Sequence, residues 1–267
     1  MIYSLWLSLI GVLSYLFGSI NWAVIISKLK RTDIRKMGSG NPGTLNMGRN
    51  LGFKFGLLTF FLDVCKGATP TLIAFFVFGD KMFAGSAFYI RDFAVYLCGL
   101  CVVLGHIYPI YFKFKGGKGI ASTIGVFLVA ESVHGPEWAA VAIMAIVAAI
   151  VFIYLTEFGA MGSFIAITPP AISGSIRLFL LYGKTRTQTP NSETVAFHIV
   201  SNMLIFAICF FTWFAHRKNI ERMLAGDEHP TSFKSMIVKA KAKKLQEKRN
   251  SESADNQNNA EKSQNNR

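Results

Sequence analysis

Seven runs of apolar residues, separated by short polar or glycine-rich segments, divide most of the chain. Six of the runs are long enough to cross a bilayer as helices, because a hydrocarbon core of about 30 Å needs about 20 helical residues. The remaining run, at residues 120–134, is shorter. The pattern predicts an all-α integral membrane protein with about seven transmembrane helices, near residues 3–27, 55–78, 92–112, 120–134, 138–156, 160–182 and 195–215.

Positive charge indicates how these helices are oriented. Segments 28–54, 113–118 and 217–267 carry seven, three and twelve of the 28 lysines and arginines. Cytoplasmic segments of membrane proteins are rich in Lys and Arg, so we expect a periplasmic N-terminus and a cytoplasmic C-terminus. Seven crossings satisfy the bias best, and five or six stay possible because run 120–134 is short.

Composition agrees with a membrane protein and limits the other classes. Hydrophobic residues make up 52% of the chain, charged residues 16%, and the mean hydropathy is +0.38. The net charge of +13 is explained by the loops that set orientation, so nucleic-acid binding is not expected. Residues 230–267 begin basic and end polar, which predicts a disordered tail after a membrane domain at 1–229.

Two glycine-rich loops lie on the predicted cytoplasmic side. In GSGNPGTLN, three glycines have the spacing of a dinucleotide-binding fingerprint, but the basic segment KLKRTDIRKM precedes them where a buried strand is required. FKFKGGKGIAST departs from a nucleotide-binding P-loop, since Phe112 replaces the first glycine and Gly119 follows the lysine. Both loops are interpreted as anion sites, with glycines freeing backbone N–H groups before a helix. For the second loop, the alternative is a tight turn between two spans, with lysines that only set the orientation of the protein in the membrane.

Four side chains near these loops suit phosphate chemistry. Arg49 can offer a planar fork to two phosphate oxygens, and Lys118 adds a point charge. His216 and Asn219 share one helical face, where a proton acceptor or a hydrogen-bond donor is expected. The alternatives are an arginine that only sets orientation and an interfacial histidine. Asp63 and Lys66, one helical turn apart inside a span, are expected to pair with each other or with neighbouring loops, and a structural role is favoured over a catalytic one.

Several other chemistries lack their motifs. The chain has no H-E-x-x-H, no cluster of carboxylates and no Cys/His quartet outside the apolar runs, so a metal site is not expected. It also has no G-x-S-x-G nucleophile elbow and no H-x-x-x-x-D acyltransferase signature. We expect no cofactor.

Three motifs in this order resemble the bacterial acyl-phosphate-dependent glycerol-3-phosphate acyltransferases, the PlsY family. The family pattern is approximately G-S-G-N-x-G-A-T-N with a following Arg, G-H-x-x-P-x-x-x-x-F-K-G-G-K-G, and H-R-x-N-I-x-R. This chain has GSGNPGTLN with Arg49, GHIYPIYFKFKGGKG, and HRKNIER. The similarity extends over nearly the whole chain except the tail, and such a trio is highly specific.

The resemblance implies a seven-helix, multi-pass enzyme of the bacterial inner membrane with its site on the cytoplasmic face. It would transfer a fatty acyl group from acyl phosphate to the 1-hydroxyl of glycerol 3-phosphate, giving lysophosphatidic acid and phosphate. Matching catalytic positions are Arg49, Lys118, His216 and Asn219. Matching substrate-binding positions are Gly38, Ser39, Gly40, Asn41, Gly43, Asn46, Gly116, Gly117, Gly119 and Ser163. The implied partners are both substrates, membrane lipid and a soluble acyl-phosphate-producing enzyme of the PlsX type.

The chain departs from the family pattern at a few positions. Thr44 and Leu45 replace Ala-Thr, Asn21 stands where proline is common, and Ala160 replaces a serine in a fourth segment, FGAMGS. Hydroxyl roles at 45 and 160 are therefore absent. Segment 177–195 and the tail look like additions away from the chemistry. The alternative function is a membrane transporter of phosphate or an organophosphate, although transporters place their polar residues near the middle of the membrane.

Overall fold

A computed structural model describes residues 2–83, 86, 88–188, 192–227, 230–231, 234–238, 241–242 and 245–246. These residues form α-helices and two short 3₁₀ turns, at Ile34–Lys36 and Ile110–Phe112, with no β-strand among them. The α-helices of this described part are α1 (Ile2–Gly18), α2 (Trp22–Leu29), α3 (Thr44–Leu51), α4 (Phe53–Phe78), α5 (Ile90–Ile107), α6 (Ile120–Ser132), α7 (Pro136–Thr156), α8 (Gly159–Gln188), α9 (Ser192–Phe214) and α10 (Arg217–Leu224).

Helical segments long and apolar enough to cross a membrane confirm the predicted all-α membrane architecture. Within the described residues there are six: Tyr3–Leu29, Phe53–Phe78, Ile90–Phe112, Pro136–Thr156, Gly159–Lys184 and Thr194–Phe214. The first contains both α1 and α2, which are separated at residues 19–21. Asn21 begins α2, because its Oδ1 accepts a hydrogen bond from the Val24 backbone N–H at 3.0 Å. The Asn21 side chain thus satisfies one of the backbone N–H groups that have no partner within the first turn of α2.

The short apolar run forms helix α6, which is buried among its neighbours. It has 13 residues, and at about 1.5 Å per residue it is roughly 20 Å long. Its buried residues occupy every side, from Ala121 to Phe127, so it meets protein rather than lipid. A helix is thus present in the shorter predicted run, and it lies inside the bundle between α4, α7 and α8.

Two glycines allow α4 and α6 to cross at very close range. A Cβ at Gly67 of α4 would overlap the Ser122 carbonyl of α6, and one at Gly125 of α6 would overlap the Val64 carbonyl of α4. Small residues that let backbones approach are a common basis of helix association in membranes. This reciprocal contact fixes α6, whose first residues follow the second glycine-rich loop, against α4.

Helix α5 lies at the centre of the bundle. Its buried residues Val95, Val102 and Val103 belong to the main core, together with Ile205 and Ile208 of α9. Large apolar side chains on the outer helices are instead exposed, including Phe76, Leu155, Phe179 and Phe206. In a bilayer these side chains contact lipid, so their exposure is expected for this class of protein.

A buried polar cluster joins α5, α6 and α8 at the end of the bundle opposite residues 38–46. Arg177 lies 3.6 Å from Asp92 and donates a hydrogen bond to the Tyr96 hydroxyl at 3.2 Å. Glu131 accepts a hydrogen bond from the Ser173 hydroxyl at 3.0 Å. His134, in the turn after α6, lies 3.2 Å from Asp92, and burial, with help from the Arg177 and Arg91 charges, lowers its pKa to about 3. Arg177, expected in an added outer segment, is thus an internal residue.

The first described residues of the tail pack on the bundle. The Thr231 backbone N–H donates to the Glu157 carbonyl at 2.9 Å, residues 234–238 are helical, and Met236 is buried. The expected disorder therefore does not hold for Thr231 and Met236. Most of the predicted tail, including residues 247–267, lies outside the described residues.

Candidate active site

The first glycine-rich loop is folded around the side chain of Asn46. Its amide group donates to the carbonyls of Ile34 (3.2 Å) and Met37 (2.9 Å), and its oxygen accepts from the Ser39 backbone N–H (3.2 Å). Gly38 has a φ of +55°, a left-handed conformation that glycine adopts without strain. The polar atoms of Asn46 therefore hold the loop in shape, and its predicted contact with substrate stays a prediction, since Asn46 also lines the cavity.

The second loop packs onto the end of α5 through its glycines. The N–H groups of Gly116 and Gly117 donate to the carbonyls of Ile107 (3.1 Å) and His106 (3.2 Å). A Cβ at Gly116 would overlap the His106 carbonyl. The expectation that these two glycines present free N–H groups to an anion is therefore wrong, because both groups are used within the protein. Their absence of side chains allows the close approach that places Lys118.

Donors for an anion come instead from helix N-termini. Helices α3, α6, α8 and α10 all begin at the same cavity, which is lined by Thr44, Ile120, Gly159 and Arg217. Gly43 and Gly119 precede α3 and α6, and neither start is capped by a side chain. The first N–H groups of a helix have no intrahelical acceptor, and the helix dipole adds partial positive charge there. Four such ends favour anionic ligands.

The third motif meets the second through Lys118 and Asn219, because the Lys118 ammonium group donates a hydrogen bond to the Asn219 side-chain oxygen. His216 lies beside them and is buried. Its Nδ1 is 2.9 Å from the Thr212 carbonyl, which assigns the proton to Nδ1 and leaves the Nε2 lone pair as an acceptor. Burial and the Lys118 charge lower the pKa of His216 to about 4, against a smaller opposing effect of the Thr212 carbonyl. The imidazole is therefore neutral at pH 7.

Two further predicted residues lie at the cavity on α3 and α8. Arg49 is exposed on α3, and its Nε lies 3.4 Å from the Leu45 carbonyl. Ser163 donates a hydrogen bond to the Gly159 carbonyl at 2.7 Å. Both residues line the cavity, where Arg49 is contributed by α3 and Ser163 by α8.

A buried ion pair lies beneath the second loop. Lys66 Nζ is 3.0 Å from Asp63 Oδ1, donates to the Ile20 carbonyl at 2.7 Å, and is 3.0 Å from His106 Nδ1. Ser122 Oγ is 3.1 Å from the same nitrogen. The pairing predicted for Asp63 and Lys66 is confirmed. Asp63 and His106 also line the cavity. For Asp63, the sequence had favoured a structural role.

The cavity that joins these elements has a volume of about 1000 Å³. It brings together thirteen of the fourteen predicted site residues. The exception is Gly117, which lies behind the loop against His106. We refer to the end of the bundle that holds residues 38–46, 116–119 and 216–219 as the motif face. Among the described residues, no group of three or more His, Cys, Asp and Glu side chains is placed to hold a metal ion.

An apolar arm extends from this polar region between the helices. It is lined by Phe53, Leu57 and Phe60 of α4, Ile124 of α6, Ile146, Ile150 and Ile153 of α7, and Ala166 of α8. One cavity thus combines cations and helix N-termini at the motif face with a hydrocarbon-lined extension among membrane helices. Together, fold and cavity define an integral membrane protein with a site for an anionic, amphipathic ligand.

Comparison with known proteins identifies the family. The glycerol-3-phosphate acyltransferase family matches residues 8–226. A glycerol-3-phosphate acyltransferase of Aquifex aeolicus (strain VF5) is 38% identical over 221 residues, covering 82% of this chain and 95% of the relative. One of Mycoplasmopsis pulmonis (strain UAB CTIP) is 35% identical over 222 residues, covering 80% and 88%. The chain therefore belongs to the glycerol-3-phosphate acyltransferase family, an enzyme family of lipid biosynthesis.

Solved structures agree. The crystal structure of PlsY (YgiH), an integral membrane glycerol 3-phosphate acyltransferase, in its glycerol 3-phosphate form has a TM-score of 0.59 and 34% identity to this chain. The lysophosphatidic acid form of that protein has a TM-score of 0.58 and 33% identity. In both comparisons 84% of this chain and 94% of the other are covered.

Proposed function

We propose that this acyltransferase takes its acyl group from acyl phosphate and transfers it to the 1-hydroxyl of sn-glycerol 3-phosphate, releasing lysophosphatidic acid and inorganic phosphate. The observation that carries the proposal is the single cavity in which a cationic region continues into an apolar arm. Both proposed substrates carry phosphate, and one also carries a fatty chain. A solved relative is described in forms with glycerol 3-phosphate and with lysophosphatidic acid.

The proposed reaction is a direct transfer. The 1-hydroxyl oxygen attacks the carbonyl carbon of acyl phosphate, a C–O ester bond forms, and the bond from the carbonyl carbon to the phosphate oxygen breaks, with the electron pair leaving on phosphate. The hydroxyl proton passes to a phosphate oxygen, which is more basic than His216 because a phosphate monoester has a second pKa near 6, whereas burial lowers that of His216 to about 4. His216 Nε2 would then accept a hydrogen bond that orients the hydroxyl.

Positive groups supply the remaining catalysis in this proposal. Arg49 and Lys118, with the N-termini of α3 and α6, would bind the two phosphate groups and stabilise the departing one. Asn219 holds Lys118 in place. The remaining predicted contacts, among them Ser39, Asn41 and Ser163, lie along the same cavity. Transport, the alternative function, gains no support from this arrangement, because the motif residues lie at one end of the bundle rather than in its middle.

Location follows from the same proposal. A fatty chain gains about 0.8 kcal/mol for each buried methylene, so the donor would stay in the bilayer while its phosphate reaches the motif face. We propose that this face is cytoplasmic, in the inner membrane. A soluble acyl-phosphate-producing enzyme would supply the donor from that side.

Reconstitution tests the donor. Purified protein in a lipid mesophase receives isotopically labelled glycerol 3-phosphate with palmitoyl phosphate, palmitoyl-CoA or palmitoyl acyl carrier protein, and mass spectrometry measures product. We expect lysophosphatidic acid and phosphate in equal amounts with palmitoyl phosphate alone. Equal or faster product formation from either thioester would contradict the proposed donor. Accumulation of labelled organophosphate inside vesicles without acylation would instead support transport.

A further inference from the structure

The segment of the tail formed by residues 230–231 and 234–238, which we name the tail strap, lies beyond the region that matches the family, since that match ends at residue 226. Two of its side chains nevertheless line the cavity. Thr231 is 4% exposed and Met236 is 8% exposed. A segment of a polar tail would be expected to extend into water, so the burial of Thr231 and Met236 at the cavity needs an explanation.

One end of the tail strap is anchored at the turn between α7 and α8. Glu157 has a left-handed conformation there (φ +60°). Its carbonyl accepts from the Thr231 N–H at 2.9 Å, and its carboxylate accepts from the Lys234 N–H at 3.3 Å. The Lys234 ammonium lies 5.8 Å from the centre of the Tyr154 ring. Main-chain, carboxylate and cation–π contacts thus attach the strap to the end of α7.

The other end lies over the crossing of α3 and α4. Met236 packs on Gly48, where an added Cβ would lie 2.8 Å from the Met236 sulfur. Gly48 also contacts Gly56 of α4. A side chain at position 48 would therefore displace Met236. Thr231 also packs against Gly159 at the start of α8, so the strap connects the α3–α4 side of the cavity with the α7–α8 side.

The tail strap and the predicted site residues share one cavity. Thr231 and Met236 line the cavity that also contains the motif residues and the apolar arm. Residues of α4 and α7, near which the strap makes its two sets of contacts, line that arm. An acyl donor that occupied both the arm and the motif face would share this cavity with Met236.

We propose that the tail strap forms part of the acyl-donor subsite, and that Met236 is a specificity-determining residue that contacts the donor where its chain meets its phosphate. The inference rests on the proposed function, since it requires a donor with a fatty chain. A thioether is flexible and polarisable, which suits contact with a mobile chain. Glycerol 3-phosphate has no chain and gains nothing from this contact.

Steady-state kinetics with the full chain provide the first test. Met236→Ala should raise the KM for palmitoyl phosphate by about four- to tenfold, as expected for the loss of one to two buried methylene equivalents, and leave the KM for glycerol 3-phosphate within about twofold. Met236→Leu preserves apolar volume and should restore most of the donor affinity. Val238→Ala is the matched control, because Val238 belongs to the same strap and is 59% exposed. Equal donor KM values in Met236→Ala and Val238→Ala would overturn the proposal.

A measurement without turnover separates this inference from the proposed function. The thiol of the Met236→Cys variant should react slowly with a water-soluble maleimide. Palmitoyl phosphate should slow this reaction further, whereas glycerol 3-phosphate should not change its rate. Val238→Cys should react fast under all conditions, and the unsubstituted chain gives the background of its four cysteines. If another donor supports acylation instead, that donor replaces palmitoyl phosphate in the labelling. Labelling at 236 that no active donor slows would overturn the role of the strap while leaving the enzyme's activity established.

Discussion

The ammonium group of Lys118 donates a hydrogen bond to the side-chain oxygen of Asn219, although 101 positions separate the two residues in the chain. The contact joins the second motif to the third and places both beside His216. A lysine has a long, flexible side chain with high rotamer entropy. Its position in the cavity therefore depends on this acceptor as well as on the loop that carries it.

Replacing Lys118 by Ala should lower kcat/KM by about 10²- to 10³-fold, because a positive group next to developing phosphate charge is lost. Lys115→Ala is the control, since Lys115 is exposed on the same loop and does not line the cavity. Initial rates measure both. The Lys118→Ala, Asn219→Ala double variant should be no slower than Lys118→Ala, because the two residues act as a unit. Strictly additive losses would contradict the positioning role of Asn219.

His216 should make stability depend on pH. Its pKa is lowered to about 4 in the folded protein, whereas an unfolded chain has a value near 6.5. Between these values the unfolded state binds the extra proton, so the free energy of unfolding falls as pH decreases from about 6.5 to 4. The loss is at most about 3 kcal/mol, from about 1.4 kcal/mol per pKa unit. Thermal unfolding of the wild type and His216→Gln between pH 4 and 7 measures the difference. His134 is present in both proteins, so its contribution to the pH dependence of stability cancels in this comparison.

The pH–rate profile offers a separate check on the same residue. A neutral His216 at all pH values above about 4 predicts that kcat/KM shows no inflection near 6.5 attributable to this side chain. The His216→Gln variant should retain part of the activity, because the glutamine side-chain oxygen can also accept a hydrogen bond that orients the hydroxyl. Its pH–rate profile should keep the same shape. An inflection near 6.5 that disappears in His216→Gln would show that the residue titrates in the active range and acts as the proton acceptor.

Gly67→Val should prevent the close crossing of α4 and α6, because any Cβ at this position overlaps the Ser122 carbonyl. Since α6 begins directly after the second loop, we expect little folded protein and no activity in what remains. Gly183→Ala is a suitable control, as no atom lies within 4 Å of the added Cβ. Monodispersity in size-exclusion chromatography and the midpoint of thermal unfolding decide the outcome. A Gly67→Val protein as stable as Gly183→Ala would refute the packing argument.

Arg177→Leu should destabilise the protein and spare the chemistry. It leaves Asp92 and Glu131 buried without their nearest positive charge, a change that costs about 3–5 kcal/mol when one partner of a buried ion pair is removed. The measured quantities are the thermal midpoint and kcat/KM well below that midpoint. Lys81→Met, at an exposed position, serves as the comparison. A loss of kcat/KM at a temperature where Arg177→Leu is fully folded would contradict a purely structural role.

Much of the fold followed from apolar run lengths, because a bilayer requires about 20 residues per helix. The interruption at residues 19–21 was not predicted, since the residues on both sides are apolar and only Asn21 indicates a new helix start. The ion pair of Asp63 and Lys66 was predicted because isolated charges inside a span need a partner.

The sequence pattern predicted residues that the structure brings together at one cavity, but it did not predict how Gly116 and Gly117 are used. Spacing alone cannot distinguish a glycine that presents its N–H to a ligand from one that lets two backbones touch, and Gly116 and Gly117 are of the second kind. The burial of Met236 could not be predicted either. The apolar run from Met236 to Val238 has only three residues, too few to establish a helical period, and the partner of Met236, Gly48, is nearly 190 positions away.

The length of α6 has a consequence for how two very different molecules meet. Its start packs against Val103 and Ile107 of α5, and its roughly 20 Å length is about 10 Å less than the hydrocarbon thickness. Helix α6 is therefore too short to extend across the whole hydrocarbon layer beside its longer neighbours. In the proposed reaction, an acceptor that reached the start of α6 from water would meet the acyl donor while the fatty chain stayed in the bilayer. Such an arrangement would avoid the solvation penalty of extracting a hydrocarbon chain into water.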